Sequence, residues 1–167
     1  MPRFSIVFTF GLLSLGGCTE SRRPTHVDVT PDMEHVVTAL AGAYAAFNRG
    51  DMTAALEPLD AQVEWTEPAE FPRGGTYHGR DGVKQYLTQS RAAWGEVNSE
   101  AERFIIVRKR IIVFVHARIR PKGRDKWPDV SLADVYTVRN GRVVEMQAFA
   151  DRQEALRWVG AGAEQDR

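Results

Sequence analysis

Two acidic side chains in this sequence lie where acid/base chemistry could use them. Glu67 stands at the exit of a short strand-like stretch, directly before Pro68. Asp134 lies in a second strand-like run and shares a face with Leu132 and Tyr136, because strand side chains alternate. If that face is interior, desolvation raises the pKa of Asp134 and keeps the carboxyl neutral at pH 7, able to donate a hydrogen bond. The alternatives are an exposed or backbone-bonded Asp134 and a Glu67 that only ends its strand.

The sequence does not support other kinds of catalytic or binding site. The histidines His26, His35, His78 and His116 lack the spacing of metal ligands. His78 lies before a glycine, which favours a role in a turn over a place at the mouth of a cavity. The chain also lacks a glycine-rich phosphate loop, a Ser-His-Asp arrangement and any cofactor motif. We therefore expect neither a metal nor a cofactor.

The charge balance and the length limit the class of protein further. The chain has 22 Lys and Arg against 22 Asp and Glu, without a basic block or an acidic tail. A nucleic-acid-binding protein needs a basic face, so this role is excluded. With 167 residues the chain is long enough for one domain with a substantial core and too short for two ordinary domains.

Changes in hydrophobic period place the two acids within a succession of helices and strands. Apolar residues recur at helical spacing after Pro31 and again after Gly79, and beyond Gly95 the period falls to two. The predicted helices cover about 31–49, 52–57, 79–94 and 151–159, and the predicted strands about 62–66, 76–77, 97–108, 111–120, 129–139 and 142–149.

Short turns with glycine join several of these elements. Gly50 closes the first helix, because glycine adopts the left-handed conformation without a steric penalty. Asp51 then caps the second helix through its carboxylate. Asn140-Gly141 is a two-residue hairpin signal between the last two strands.

Helices followed by a run of strands predict an α+β fold. We expect a curved antiparallel sheet with the N-terminal helices packed on its concave face. In the strand 111–120, Val113 and Val115 belong to a clean interior face. On the opposite face, Ile112 and Phe114 precede a basic end. Partly buried aliphatic side chains on that outer face would suit a subunit interface.

The N-terminus has the features of a bacterial lipoprotein signal. Arg3 supplies a positive charge, and the apolar run Phe4 to Leu15 is too short to span a bilayer comfortably. The run ends in the lipobox pattern Leu15-Gly16-Gly17-Cys18, and Cys18 is the only cysteine in the chain. Two or three acyl chains on Cys18 would give stable anchoring. The alternative is an ordinary secretory signal or a short membrane anchor.

These features define the expected organisation and location of the chain. We expect a lipoprotein signal peptide over 1–17, a lipidated Cys and tether over 18–30, a domain over 31–159 and a tail over 160–167. The predicted location is the bacterial cell envelope, on the periplasmic face of the outer membrane if the cell has one.

The element order and several motifs resemble one superfamily. The motifs are the NRGD turn, the acid-Pro end of the first strand, HGRDGVKQYL at the third helix and NGRVVEMQAF at the hairpin. Together they resemble the SnoaL-like, or nuclear-transport-factor-two-like, cone fold, which includes ketosteroid isomerases and polyketide cyclases. The resemblance covers about residues 31–159 and implies a cystatin-like cone. It does not settle function, because this scaffold hosts enzymes and non-catalytic binding modules.

The resemblance implies roles for both acids and a set of cavity residues. Glu67 matches the position of the isomerase base, and Asp134 matches the protonated Asp that donates to an oxyanion. The tyrosine that completes the isomerase oxyanion hole matches Ala43, so the resemblance predicts that this hydroxyl is missing here. Tyr44, one residue further along, lies about 100° away around the helix, which favours a core role for Tyr44. The residues expected to contact a ligand are Tyr44, Trp65, Phe71, Val115, Tyr136 and Met146.

Two functions follow as hypotheses. The first is a membrane-anchored module that binds a small apolar or amphiphilic molecule in its cavity without catalysis. The second is a cofactor-free acid/base enzyme, with Glu67 as base and Asp134 as hydrogen-bond donor, acting on a ketone or polyketide-like molecule. The resemblance also implies a homodimer through the outer face of the sheet.

Overall fold

The computed structural model describes residues 31–120, 122–123 and 128–160. The predicted signal peptide, Cys18, the tether and residues 161–167 lie outside the described residues. No helix within the described ranges is long and apolar enough to cross a membrane. The elements in chain order are α1 Pro31–Arg49, α2 Met52–Ala55, β1 Leu59–Glu67, β2 Gly75–His78, α3 Gly79–Trp94, β3 Glu96–Val107, β4 Arg110–Arg120, β5 Asp129–Arg139, β6 Arg142–Phe149 and α4 Arg152–Val159.

The six strands form one curved, unclosed sheet in the order β2-β1-β6-β5-β4-β3. The α+β class is confirmed. The sheet is mixed, however, because β1 pairs with β6 in parallel while the other neighbours are antiparallel. The register along β1 and β6 shifts between Leu59 and Glu64, and β1 begins earlier than its alternating pattern indicates.

Backbone angles and hydrogen bonds confirm the predicted turns. Gly50 has φ 82° and follows α1, and its N–H donates to the Phe47 carbonyl at 2.9 Å. Asp51 accepts a hydrogen bond from the Ala54 N–H at 3.1 Å, which caps α2. Asn140 has φ 52° and Gly141 φ 69°, so both residues of the β5–β6 hairpin adopt the left-handed conformation.

Side chains fix the end of α1 to its neighbours. The Asn48 amide donates to the Ser99 carbonyl at 2.9 Å and accepts from the Ser99 N–H at 2.8 Å. Arg91 on α3 donates to the Phe47 and Asn48 carbonyls, each at 2.9 Å. Both carbonyls belong to the last turn of α1, where the helix itself leaves carbonyls without a partner, and Arg91 adds a donor to each. The helix is thus held against both β3 and α3.

The core lies on both faces of the sheet. On the concave face α1 and α3 contribute Val36, Leu40 and Val83 to the larger apolar cluster. On the outer face α4 covers a second cluster that contains Ile112, which is 0% exposed. Asp151 caps α4 by accepting from the Gln153 N–H at 2.8 Å.

This packing corrects the expectation that Ile112 belongs to a free outer face. The residue is covered by α4 of its own chain. Phe114 is partly buried, and the Arg152 guanidinium lies 5.1 Å from its ring centroid. The outer surface open to a partner is therefore smaller than the sequence pattern indicates.

Candidate functional site

A cavity of about 360 Å³ lies between the concave face of the sheet and the helices α1 and α3. Strands β1, β3, β4 and β5 form its other walls, α2 contributes Ala55, and the loop after β1 contributes Phe71 and Pro72. The polar lining consists of two carboxylates, three tyrosines and two serines, namely Glu67, Asp134, Tyr44, Tyr86, Tyr136, Ser90 and Ser99. The other lining side chains are aliphatic or aromatic.

The cavity brings together most of the predicted site residues. Both acids line it, as do five of the six side chains expected to contact a ligand: Tyr44, Trp65, Phe71, Val115 and Tyr136.

The sixth, Met146, is not part of the lining and is 0% exposed. It pairs with Trp65 on one side and Tyr136 on the other, and those two rings approach edge to face with centroids 6.3 Å apart. Met146 is therefore a core residue, because its two large strand neighbours separate it from the cavity.

The Asp134 carboxyl contacts the hydroxyls of two tyrosines, Tyr44 and Tyr136, which also contact each other. The Tyr44 hydroxyl donates to Asp134 Oδ2, and the Tyr136 hydroxyl lies 3.5 Å from the same oxygen. The two hydroxyl oxygens are 2.8 Å apart. Burial raises the pKa of Asp134 to about 6, while the hydrogen bonds from Tyr44 and Tyr136 act in the opposite direction.

Asp134 thus faces the interior and has a raised pKa, as its alternating pattern predicts. The expectation that it is neutral at pH 7 is wrong, because a pKa of about 6 leaves it mostly ionised there. The reason is the two phenol donors, which stabilise the carboxylate and offset part of the desolvation.

The contact between Tyr44 and Asp134 also corrects the expectation that the tyrosine of this site is missing. Ala43 and Tyr44 both line the cavity, together with Leu40 and Phe47. An apolar helix stripe is 100° wide or more, so two successive residues can share it. The tyrosine side chain is also long enough to extend from the edge of that stripe to the sheet. Counting residues along α1 alone could not reveal this contact.

Glu67 forms the second polar group of the cavity. The Trp65 indole N–H donates to Glu67 Oε1 at 2.7 Å, and Glu67 is 9% exposed. Burial, and then the charge of Asp134, raise the pKa of Glu67 to about 7, while interactions with Trp65 and Tyr86 lower it. Glu67 is therefore the later of the two acids to ionise.

The tyrosines of the cavity remain protonated donors at neutral pH. Burial, and then the nearby charge of Asp134, raise the phenol pKa values of Tyr44 and Tyr136. Burial and the charge of Glu67 raise that of Tyr86. Tyr86 and Ser90 belong to a helical stripe that the sequence shows, but the stripe by itself indicates a core face and not a polar wall.

Within the described ranges the cavity lining contains no Arg, Lys or His, and no cluster of acidic, His or Cys side chains could hold a metal ion. His78 lies outside the cavity at the end of β2, where its side chain is 73% exposed and 3.8 Å from Glu64. The site can therefore exchange protons and hydrogen bonds, and it offers no positive charge to a ligand.

Residues 40–146 match the model of the SnoaL-like domain family. The sequence matches none of the curated proteins with which it was compared.

Several solved structures have the same fold, and this chain matches nearly the whole length of each of them. An NTF2-like protein of unknown function from Burkholderia pseudomallei is 26% identical, with a TM-score of 0.64 over 75% of this chain and 97% of the other. TerC, co-crystallised with polyporic acid, is 22% identical, with a TM-score of 0.63 over 75% and 98%. A protein with a ketosteroid isomerase-like fold from Catenulispora acidiphila, in complex with trimethylamine, is 18% identical, with a TM-score of 0.60 over 75% and 92%.

Proposed function

This chain belongs to the SnoaL-like domain family, and from its cavity we propose that it binds a small apolar or amphiphilic carbonyl compound and transfers a proton on it. The observation that carries the proposal is the pair of buried carboxylates, Glu67 and Asp134, which line one open cavity together with the Tyr44 hydroxyl. Acid/base catalysis works best when the pKa values of the groups lie near the working pH.

The two acids are suited to share one proton. Their pKa values of about 6 and about 7 differ by little, and the charge of Asp134 raises the pKa of Glu67. Between these values the pair holds one proton, and the two titrations belong to the pair. One member is then a base while the other is an acid, within the same cavity.

The proposed step starts from the form of the pair in which Glu67 is ionised and Asp134 holds the proton. This form is the less populated of the two, because the pKa of Glu67 is the higher one, and it is reached when the shared proton passes from Glu67 to Asp134. Glu67 is then the base. Its carboxylate takes a proton from the carbon next to the ligand carbonyl, and the C–H electron pair moves to the carbonyl oxygen as an enolate forms. The protonated Asp134 and the Tyr44 hydroxyl stabilise the negative oxygen, because fixed donors in a site with little water oppose the developing charge strongly. Glu67 then returns the proton to the same or to another carbon.

The alternative is a binding module without catalysis. The sequence pattern favours it on two grounds, the expected absence of a tyrosine beside Asp134 and the expected location at the membrane surface. Tyr44 removes the first ground, because it supplies that hydroxyl. The relatives co-crystallised with polyporic acid and in complex with trimethylamine are consistent with small ligands in this fold. Proton transfer is therefore the better supported of the two.

Isotope exchange tests the proposal without knowledge of the natural substrate. In deuterated water at pD near 6.5, the protein should speed the exchange of the protons next to the carbonyl of 1-tetralone, followed by proton NMR. Glu67→Gln should abolish the acceleration, because an amide is no base. Asp134→Asn should retain part of it, because the amide still donates a hydrogen bond.

Glu64→Gln is the matched control, since Glu64 lies on the same strand and outside the cavity lining. It should exchange tetralone protons at the wild-type rate. Binding of tetralone with no acceleration would contradict the enzyme and favour the binding module. If Asp134→Asn abolishes the acceleration while Glu67→Gln keeps part of it, the roles of the two acids are exchanged.

We also propose the cell envelope as the location, through acylation of Cys18. The supporting observation is the lipobox in a stretch outside the described residues. A homodimer through the surface around Phe114 and α4 is a further proposal, supported by the 41% exposure of Trp158 on α4. Multi-angle light scattering of the domain at high micromolar concentration should give twice the monomer mass, and a monomer there would exclude the dimer.

A further inference from the structure

Ser90 is a polar side chain of the cavity that has no part in the chemistry proposed above. Ser90 lies on α3, lines the cavity and is 2% exposed. Its Oγ has no hydrogen-bond partner among the described residues. A buried hydroxyl is normally paired, because an unpaired one has lost its bonds to water without replacement. Ser90 therefore needs a different explanation from the other polar groups of the site.

The partners within its own helix do not account for this hydroxyl. A helical serine commonly bonds the carbonyl four residues before it, which here belongs to Tyr86, but that bond is not made. The Tyr86 hydroxyl is near enough for Ser90 to lower the Tyr86 phenol pKa, yet the two groups do not reach hydrogen-bond geometry. Tyr86 also interacts with Glu67.

The surroundings of Ser90 indicate what could pair with it. Of the neighbouring lining residues on α3, Leu87 is apolar and Trp94 has only an indole N–H, which donates and cannot accept, so Ser90 supplies the acceptor on that part of the wall. Asp134 and its two tyrosines lie on β5 and α1, not on this helix. A ligand that contacts Asp134 with one oxygen can therefore present a second polar atom to the α3 wall.

We propose that Ser90 determines specificity, by binding a second oxygen of the ligand at a distance from the reacting carbonyl. The ligand class is then an apolar molecule with at least two oxygen functions, such as a hydroxylated aromatic ketone. A serine hydroxyl can donate and accept, so either a ligand hydroxyl or a carbonyl fits. This inference rests on the proposed function, because it takes the cavity to be the ligand site.

Calorimetry with 1-tetralone and its 5-, 6- and 7-hydroxy isomers tests the role of Ser90. At least one hydroxylated isomer should bind the wild-type protein about three- to tenfold more tightly than 1-tetralone, the range expected for one neutral hydrogen bond. In Ser90→Ala the ratio of the two affinities should fall to about one. Ser90→Cys, with a weak hydrogen-bonding group of similar shape, should give an intermediate ratio.

Thr88→Ala is the matched control, because Thr88 is exposed on the same helix and outside the cavity lining. It should keep the wild-type ratio. The inference is overturned if no hydroxylated isomer is preferred, or if the preference survives in Ser90→Ala. Tetralone exchange by the wild-type protein separates the two proposals, since exchange without a hydroxyl preference removes only the role of Ser90. Failure of every tetralone to bind would count against both.

Discussion

The hydroxyl oxygens of Tyr44 and Tyr136 lie 2.8 Å apart, although 92 positions separate the two residues in the chain. The contact joins α1 to β5 and brings both phenols to Asp134. Because both phenols remain protonated at neutral pH, they can donate to the Asp134 carboxylate or to a negative oxygen of a ligand. The ionisation of Asp134 therefore depends on the position of α1 on the sheet.

Removing one phenol should shift the titration of Asp134. In Tyr44→Phe the pKa of Asp134 should rise above its wild-type value of about 6, because the Tyr44 hydrogen bond stabilises the ionised form. Carbon-13 NMR titration of the Asp134 carboxyl measures this. Tyr77→Phe is the control, since the Tyr77 hydroxyl donates to the Arg73 carbonyl at 2.6 Å, outside the cavity. An unchanged or lower pKa in Tyr44→Phe would show that the hydrogen bond does not favour the carboxylate.

The pH dependence of stability should change in Asp134→Asn. Asp134 has a pKa of about 6 in the folded protein against 3.8 for the free side chain, so the protonated form favours folding. That contribution is complete below pH 3.8 and is lost as the pH rises through about 6. The loss amounts to about 3 kcal/mol in the free energy of unfolding.

Urea unfolding at pH 4, 5, 6 and 7 checks this prediction. The wild-type protein should lose stability across the range more steeply than Asp134→Asn, in which part of the slope remains because the pKa of Glu67 is raised as well. Glu100→Gln changes an exposed carboxylate on β3, outside the cavity lining, and should keep the wild-type slope. Equal slopes for wild type and Asp134→Asn would mean that Asp134 titrates alike in the folded and unfolded chains.

The charge of the cavity should discriminate against anions. Among the described residues its lining has two carboxylates and no cationic side chain. At pH 8, where both acids are ionised, 2-naphthoate should bind at least about tenfold more weakly than 2-naphthol, because like charges repel strongly in a poorly hydrated site. The difference should shrink at pH 5.5 and in Glu67→Gln. Fluorescence titration measures both ligands, and tighter binding of 2-naphthoate at pH 8 would contradict the charge argument.

The loop that carries Phe71 should not tolerate a side chain at Gly74. A Cβ atom there would lie 2.1 Å from the Pro68 carbonyl oxygen, so the backbone would have to move. Gly74→Ala should lower the free energy of unfolding by about 1–3 kcal/mol and weaken ligand binding. Gly42→Ala is the control, because nothing lies within 4 Å of the added atom and alanine favours a helix. A Gly74→Ala protein with wild-type stability would show that this loop relaxes freely.

Membrane association of the protein should depend on Cys18. In cells of the native host, Cys18→Ser should move the protein out of the membrane fraction or leave its signal peptide uncleaved, because acyl chains can no longer be attached. Fractionation and intact-mass spectrometry measure this, with Thr19→Ser as the matched change next to the lipobox. An unmodified Cys18 thiol in the native protein would contradict the lipoprotein assignment.

Side-chain alternation could be read from the sequence, and it placed Asp134 and Tyr136 on the inner face of one strand. Both side chains line the cavity. Neither alternation nor the family resemblance gives information on lateral neighbours. The resemblance therefore implies a cavity position for Met146, although Trp65 and Tyr136 flank it. The burial of Ile112 under α4 has the same cause, since the docking of a helix on a sheet is a tertiary event.

Strand order was also beyond the sequence pattern. Turn residues such as Asn140 and Gly141 fix neighbours joined by a hairpin, and those pairs are confirmed. The parallel pairing of β1 with β6 depends on contacts between distant parts of the chain. The role of Tyr44 could be predicted only in part. The helix that carries Tyr44 is confirmed, but its contact with Asp134 depends on where that helix packs on the sheet, which the sequence pattern does not give.

The parallel pair β1–β6 also sets the order in which the protein can fold. Leu59 pairs with Val143, about half the chain away, and β6 is the strand that joins β1 to β5. Closing such a long loop carries an entropic penalty, and distant pairings of this kind slow folding. During synthesis on the ribosome, β1 therefore remains without its central neighbour until almost the whole domain has emerged. Glu67 and Asp134 meet only after that step, so a chain that stops between β5 and β6 contains both acids but no site.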